Sequence, residues 1–196
     1  MKRNLITAVL MTIATTVLLG LIYPLVVTGL AQVIFPKQAN GQLIQQDGKL
    51  VGSSIIGQSF SGAAYFHSRL SATAVPDDAA NSAGSNLGPT NQKLIDRVKQ
   101  DVAALHAENP NQPVPIDMVT TSASGFDPHI SPAAAEFQLP RVAKGRGTTE
   151  DHLRDLVAKH TEGRQLGFLG EPRVNVLELN IDLDRQFPVS KQAMNR

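Results

Sequence analysis

The sequence contains no cysteine and no tryptophan. Without thiols there are no disulfides, no thiolate metal sites and no cysteine nucleophile. Seven phenylalanines and two tyrosines are the whole aromatic complement, too sparse for a platform that stacks sugars or bases. Neither sign of charge prevails: eighteen Lys plus Arg stand against seventeen Asp plus Glu, which excludes the basic excess of a nucleic-acid binder. The five histidines show no His-Glu-x-x-His spacing. His152 and His160 lie too far apart on one helix to share a metal, so no metal site is predicted. No Gly-x-Ser-x-Gly elbow and no Walker Gly-Lys-Ser/Thr run is present. The carboxylates are scattered, without an acid/base pair.

What the sequence does have is one long apolar run. No charged residue occurs between Arg3 and Lys37, and Leu5 to Leu25 is apolar or small with threonines as its polar members. At about 1.5 Å per residue that run covers roughly the 30 Å hydrocarbon core of a bilayer. A cleaved signal peptide would have an apolar region of about 7–15 residues, so a retained anchor is expected. Lys2 and Arg3 flank its start, and the positive-inside bias places the N-terminus in the cytoplasm and the rest outside. Ala8, Thr12, Thr16 and Gly20 recur every four residues, a row that lets a partner helix approach closely. Beyond Pro24, a stripe of Val26, Val27, Leu30, Val33 and Ile34 predicts that the helix continues outward.

Residues 1–36 are thus read as cytoplasmic tip and transmembrane helix, and 37–196 as one extracytoplasmic domain. Gln42–Gln46 and Lys49–Ile56 flank Asp47-Gly48 as a hairpin with a type I′ turn. Residues 57–90 form a long irregular stretch, which in a compact domain points to function or partner contact. Thr90 or Asn91 caps a helix through His106, with Leu94, Ile95, Val98, Val102 and Leu105 on one face. Ile116–Thr120 reads as a short strand. Ser131-Pro132 opens a helix that Pro140 should kink or stop. Thr149 opens another with Leu153, Leu156, Val157 and His160 on one face. Leu177, Leu179, Ile181 and Leu183 alternate with polar residues as a strand would. The fold class is α/β (mixed α+β), a small extracytoplasmic domain attached to a single N-terminal transmembrane helix.

Two loops carry the remaining polar chemistry. Asp127-Pro128-His129, with Ser124 nearby, invites a hydrolase reading, against which stands local hydrogen bonding in turns. Ser85 and Asn86 sit in a small, flexible run ahead of the Asn91 helix. There they are candidates for a nucleotide or loop contact.

Several stretches, in order along nearly the whole chain, resemble one family, the C subunit of the Kdp potassium-transporting P-type ATPase. They include Tyr23-Pro24-Leu25, Gln38-Ala39-Asn40-Gly41, Tyr65-Phe66 with Arg69, Gly84-Ser85-Asn86-Leu87-Gly88-Pro89-Thr90-Asn91, Asp127-Pro128-His129-Ile130-Ser131-Pro132 and Gly170-Glu171-Pro172-Arg173. Leu70 stands where the family usually has Pro, and Ala83 where it often has Gly. The resemblance implies a non-catalytic accessory and assembly subunit, for which ATP is a family-level ligand and the residues themselves indicate no bound cofactor. Its implied partners are the potassium-pore subunit, the ATPase subunit and a small membrane subunit in the bacterial inner membrane. It further implies a catalytic chaperone that raises the ATPase subunit's affinity for ATP, while potassium is the ion the complex transports. Two alternatives compete: an anchored extracytoplasmic hydrolase using Asp127 and His129, and a filter module that concentrates potassium over the pore.

The orientation is testable directly. A reporter active only in the cytoplasm, fused after Arg196, is expected to be silent; a bright signal reverses the topology.

Overall fold

The computed structural model describes residues 1–189. The chain divides into two compact units, Met1–Val51 and a second from Gly52 onward.

In the first unit, α1 (Lys2–Thr15), a π-helical stretch (Thr16–Ile22) and α2 (Tyr23–Ile34) run on without a break. Together they make a 33-residue helix, long and apolar enough to cross a membrane. Its length is about 50 Å, against roughly 30 Å of hydrocarbon, so the helix does continue past Pro24. Pro24 also accounts for the wide turns before it. Its ring crowds the carbonyl four residues back, at Gly20, and it has no N–H to offer. The backbone answers by loosening, and the Tyr23 amide bonds to the Leu18 carbonyl, five residues back. The helix ends at Phe35, which leaves helical geometry (φ −131°, ψ 56°) ahead of Pro36. A single turn, α3 (Pro36–Ala39), follows. Asn40 ties this corner to α2: its Nδ2 donates to Gln32 Oε1 (3.1 Å) and to the Pro36 carbonyl (2.7 Å). Strands β1 (Leu43–Gln46) and β2 (Lys49–Ser53) form the expected hairpin, the second shorter than predicted. Asp47 and Gly48 both have positive φ (51° and 75°), as a type I′ turn requires.

The second unit combines four helices with a small antiparallel sheet of order β3-β5-β4. Its strands are β3 (His129–Ile130), β4 (Thr161–Glu162) and β5 (Arg173–Asn175), with Ile130 and Thr161 both opposite Val174. Helix α4 (Gln92–Glu108) starts at Asn91, whose side chain accepts from the Lys93 amide. Helices α5 (Pro132–Arg146) and α6 (Glu150–Lys159) start at Ser131 and Thr149, as the capping residues predict. Helix α7 (Val176–Gln186) follows β5 directly. The core combines Leu139 and Val142 of α5, Leu153 and Leu156 of α6, Leu179 and Leu183 of α7, and Phe66 from the irregular stretch.

Three sequence expectations are corrected. Leu177–Leu183 is helical, because Asn175 caps it by accepting from the Glu178 amide (3.1 Å). Its buried set includes Val176, Leu179, Asn180 and Leu183, a helical period. Ile116–Met118 is one 3₁₀ turn, not a strand. Pro140 does not stop α5. The helix runs to Arg146, held by Leu139 and Val142, which are wholly buried, and Gly147 ends it in the left-handed region (φ 67°).

The irregular stretch is fixed by side-chain amides. Asn180, fully buried, accepts from the Phe66 amide (3.0 Å) and donates to the Phe66 carbonyl (2.8 Å). Asn180→Ala orphans both groups and is expected to cost about 3 kcal/mol, measured by unfolding of the full chain in detergent. Val75→Ala, at an exposed side chain, is expected to stay within about 0.5 kcal/mol of wild type.

Candidate functional site

Residues 119–129 form the loop on which the sequence motifs converge. It begins after the 3₁₀ turn, pairs Thr121 with Leu70 in a parallel bridge, and ends as β3. Neighbouring segments dock on it through backbone bonds. The Ser122 amide donates to the Leu70 carbonyl (3.1 Å), Gly57 to Phe126 (2.7 Å), Ala83 to Ser124 (3.1 Å) and Val176 to Pro128 (2.9 Å). Gly57 lies so close that a Cβ would meet the Asp127 carbonyl oxygen at 2.9 Å, which leaves glycine as the residue that fits.

Asp127 sits at the middle of this scaffold. Its Oδ2 accepts from Arg69 Nη1 (3.1 Å), and its Oδ1 accepts from the His129 backbone amide (3.0 Å). The His129 ring Nδ1 stands 3.6 Å from the same Oδ1. Burial pushes the Asp127 carboxyl up. The bonds from the His129 side chain and amide, with the Arg69 charge, outweigh that and hold it below the ordinary carboxylate value. Arg69 also reaches Thr120 Oγ1 (3.4 Å) and the Thr121 carbonyl (3.5 Å). The serine hydroxyls serve the backbone. Ser122 Oγ accepts from the Gly125 amide (2.7 Å), Ser124 Oγ from the Phe126 amide (3.3 Å), and Ser71 Oγ donates to the Gly125 carbonyl (2.6 Å). An ionised, doubly bonded carboxylate beside turn-capping hydroxyls holds a loop in shape.

Ser124, Asp127 and His129 share this loop, with Asp127 and His129 in contact, and the residues leading to Ser85–Asn86 dock on it. Ser82 Oγ donates to the Ser124 carbonyl (3.0 Å), so the chain leading to Ser85 runs beside Ser124. Asn86 lies in the left-handed region (φ 51°), which Asn tolerates. Ala8, Thr12, Thr16 and Gly20 belong to the other unit, where each is exposed. The Thr12 hydroxyl donates to the Ala8 carbonyl (2.9 Å). Among the described residues no three of His, Cys, Asp and Glu gather as a metal cage. Arg69, quoted in the sequence only as part of a family motif, is the partner that sequence reading did not assign to the site. One signal for it was visible: histidine apart, it is the one charged residue between Lys49 and Asp77.

A small mixed helix–sheet unit with a tightly bonded loop scaffold, following an apolar helix of membrane-crossing length, defines the class. The chain belongs to the KdpC family, the c chain of the K+-transporting ATPase, whose pattern it matches over residues 5–185. It is 67% identical over 189 residues to the potassium-transporting ATPase KdpC subunit of Koribacter versatilis, covering 96% of this chain and 98% of that one. The KdpC subunits of Rhodopseudomonas palustris and Methylorubrum extorquens are 58% and 57% identical, with 94% and 93% of this chain covered and 98% and 97% of theirs.

Because the folded-state pKa of Asp127 is depressed, its stabilisation is present above the unfolded value near 3.9 and is lost as pH falls through the lower folded value. Asp127→Asn is expected to cost about 1 kcal/mol at pH 7. Thermal unfolding curves of wild type and variant should begin to converge as pH falls below about 3.9 and meet below the lower folded value; a gap that is constant with pH refutes the ion-pair account.

Proposed function

We propose that the chain is the accessory and assembly subunit of an ATP-driven potassium uptake complex, without a catalytic centre of its own. It is held in the bacterial inner membrane by its long apolar N-terminal helix, with the N-terminus in the cytoplasm and the domain outside. Family membership supports the complex; the exposed Ala8, Thr12, Thr16 and Gly20 row carries the assembly role. Lipid gives no hydrophobic drive for helix association, so close packing and hydrogen bonds must supply it. In an α-helix a four-residue row drifts around the axis. The π-helical stretch Thr16–Ile22 turns the chain by less per residue and brings Gly20 back toward the line of Thr12 and Thr16.

The partner at this row is the potassium-pore subunit. On this topology Ser85 and Asn86 face away from cytoplasmic ATP, so an effect on ATP affinity runs through the partner subunits. The turn-capping hydroxyls and the Arg69-bound Asp127 favour this reading over an anchored hydrolase.

Gly20→Leu adds a large side chain where only the Thr16 methyl, 3.8 Å from a built Cβ, lies nearby, and so holds a partner helix off. It is expected to weaken co-purification with the pore subunit more than tenfold. Thr16→Val removes only a hydroxyl and should cost about 0.6 kcal/mol, roughly threefold. Leu18→Ile, on the roughly opposite side, should have no effect. Normal recovery of Gly20→Leu with loss of Leu18→Ile would show that another face makes the contact.

A further inference from the structure

We propose that the ribbon between β4 and β5 is a docking arm that seats an apolar tip in a pocket on another protein subunit of the same ATPase complex. The proposal rests on the accessory-subunit reading and names a contact within it.

Thr161–Glu162 and Arg173–Asn175 pair antiparallel at the sheet's edge, so the chain between them projects outward, and residues 162–172 are all exposed. It is nevertheless built. The amides and carbonyls of Gln165 and Leu169 bond to one another reciprocally, both at 2.9 Å. Two cross-strand ion pairs brace the ribbon, Arg164–Glu171 at 2.6 Å and Arg173–Glu162 at 2.7 Å. Beyond them the tip is apolar: Leu166 is 84% exposed, Phe168 69% and Leu169 48%.

The turn at the tip is the stronger evidence. The Phe168 amide bonds to the Gln165 carbonyl (3.3 Å), and both central residues have positive φ, Leu166 at 53° and Gly167 at 83°. This is a type I′ turn, which favours Asn-Gly. A leucine in the left-handed region is sterically disfavoured, and here its side chain gains no burial in return. Turn stability would choose Asn, and core packing does not reach this far. Strain carried by an exposed apolar side chain on a braced support marks a contact element.

The charges choose the occupant. A segment that lies on a bilayer surface carries Lys and Arg, commonly with Trp. The stretch 163–172 has no Lys and no Trp, and each arginine on the arm is matched by a glutamate. A neutral support with Leu and Phe at its point suits the desolvated centre of a protein interface, where such anchors fill pockets.

The test uses the intact complex, purified in detergent through a tag on another subunit. Leu166→Asn with Phe168→Ser removes the apolar tip while improving the turn, so unchanged thermal unfolding of the chain is expected. Retention of the chain on the complex should fall about tenfold. In parallel, a photoreactive benzophenone residue replaces Phe168 in the otherwise wild-type chain. Crosslinking to another subunit of the complex supports the arm. Crosslinking only to lipid, or only to a second copy of this chain, overturns it, as do undiminished retention and no crosslink. If the wild-type chain itself fails to co-purify, the accessory-subunit reading falls and takes the arm with it. Full retention of both wild type and variant removes the arm alone.

Discussion

Two buried side-chain amides hold this domain together. Gln138 on α5 and Asn180 on α7 are both inaccessible to solvent, and each pairs with both backbone groups of one residue in the irregular stretch. Gln138 accepts from the His67 amide (2.8 Å) and donates to the His67 carbonyl (3.2 Å); Asn180 does the same for Phe66. A buried backbone group without a partner is costly, and this segment has no sheet ladder to supply one. The two amides act as a pair of short strand edges, one from each helix. Phe66 can therefore be fully buried between helices although its own backbone is irregular. Arg141 extends the network, bonding Gln138 Oε1 (2.6 Å), the Tyr65 carbonyl (2.8 Å) and Glu108 Oε1 (2.8 Å) at the end of α4. Asn175 repeats the device, donating to the Ser54 carbonyl (2.7 Å) while it caps α7.

The same amides explain where sequence patterning fails. In Val176–Gln186, acidic residues alternate with leucine and isoleucine, and Asn180 counts as polar and so as outward-facing. With Asn180 outside, the pattern has period two; with it inside, Val176, Leu179, Asn180 and Leu183 give a helical face. Hydropathy cannot show that an amide is buried to satisfy another segment's backbone. By contrast, Asn91, Ser131 and Thr149 announce their helices, because a cap is a local interaction between a side chain and an amide two or three residues on. The strands of the second unit were beyond reach for a simpler reason. Two or three residues each, they are too short to display alternation, and long-range pairing with β5 creates them.

The loop cluster shows how a chain can be rich in recognisable motifs yet poor in recognisable chemistry. Asp127, Ser122, Ser124 and Ser71 are spent on backbone amides, a carbonyl and the Arg69 guanidinium. The residue types that would suggest a hydrolase are also those that close tight turns. The order of the motifs along the chain was legible as family resemblance. Their arrangement was not, because Arg69 and Asp127 meet across 58 residues of sequence.

The first unit shows one feature with two consequences. Pro24 withholds an amide from its helix and crowds the carbonyl of Gly20. Gly20 is also the last of the small residues whose spacing admits a close partner. On the proposed reading these features coincide: where proline loosens the backbone, glycine clears the space through which another span can approach. The wide turns of Thr16–Ile22 then are not a defect that the helix tolerates. They set the angle at which Gly20, Thr16 and Thr12 present themselves to that span. Replacing Pro24 would restore a regular ladder and, in doing so, rotate the upper part of the row away from the lower. The helix would be more stable alone and less suited to its neighbour, which is what an element evolved for assembly rather than for self-sufficiency implies.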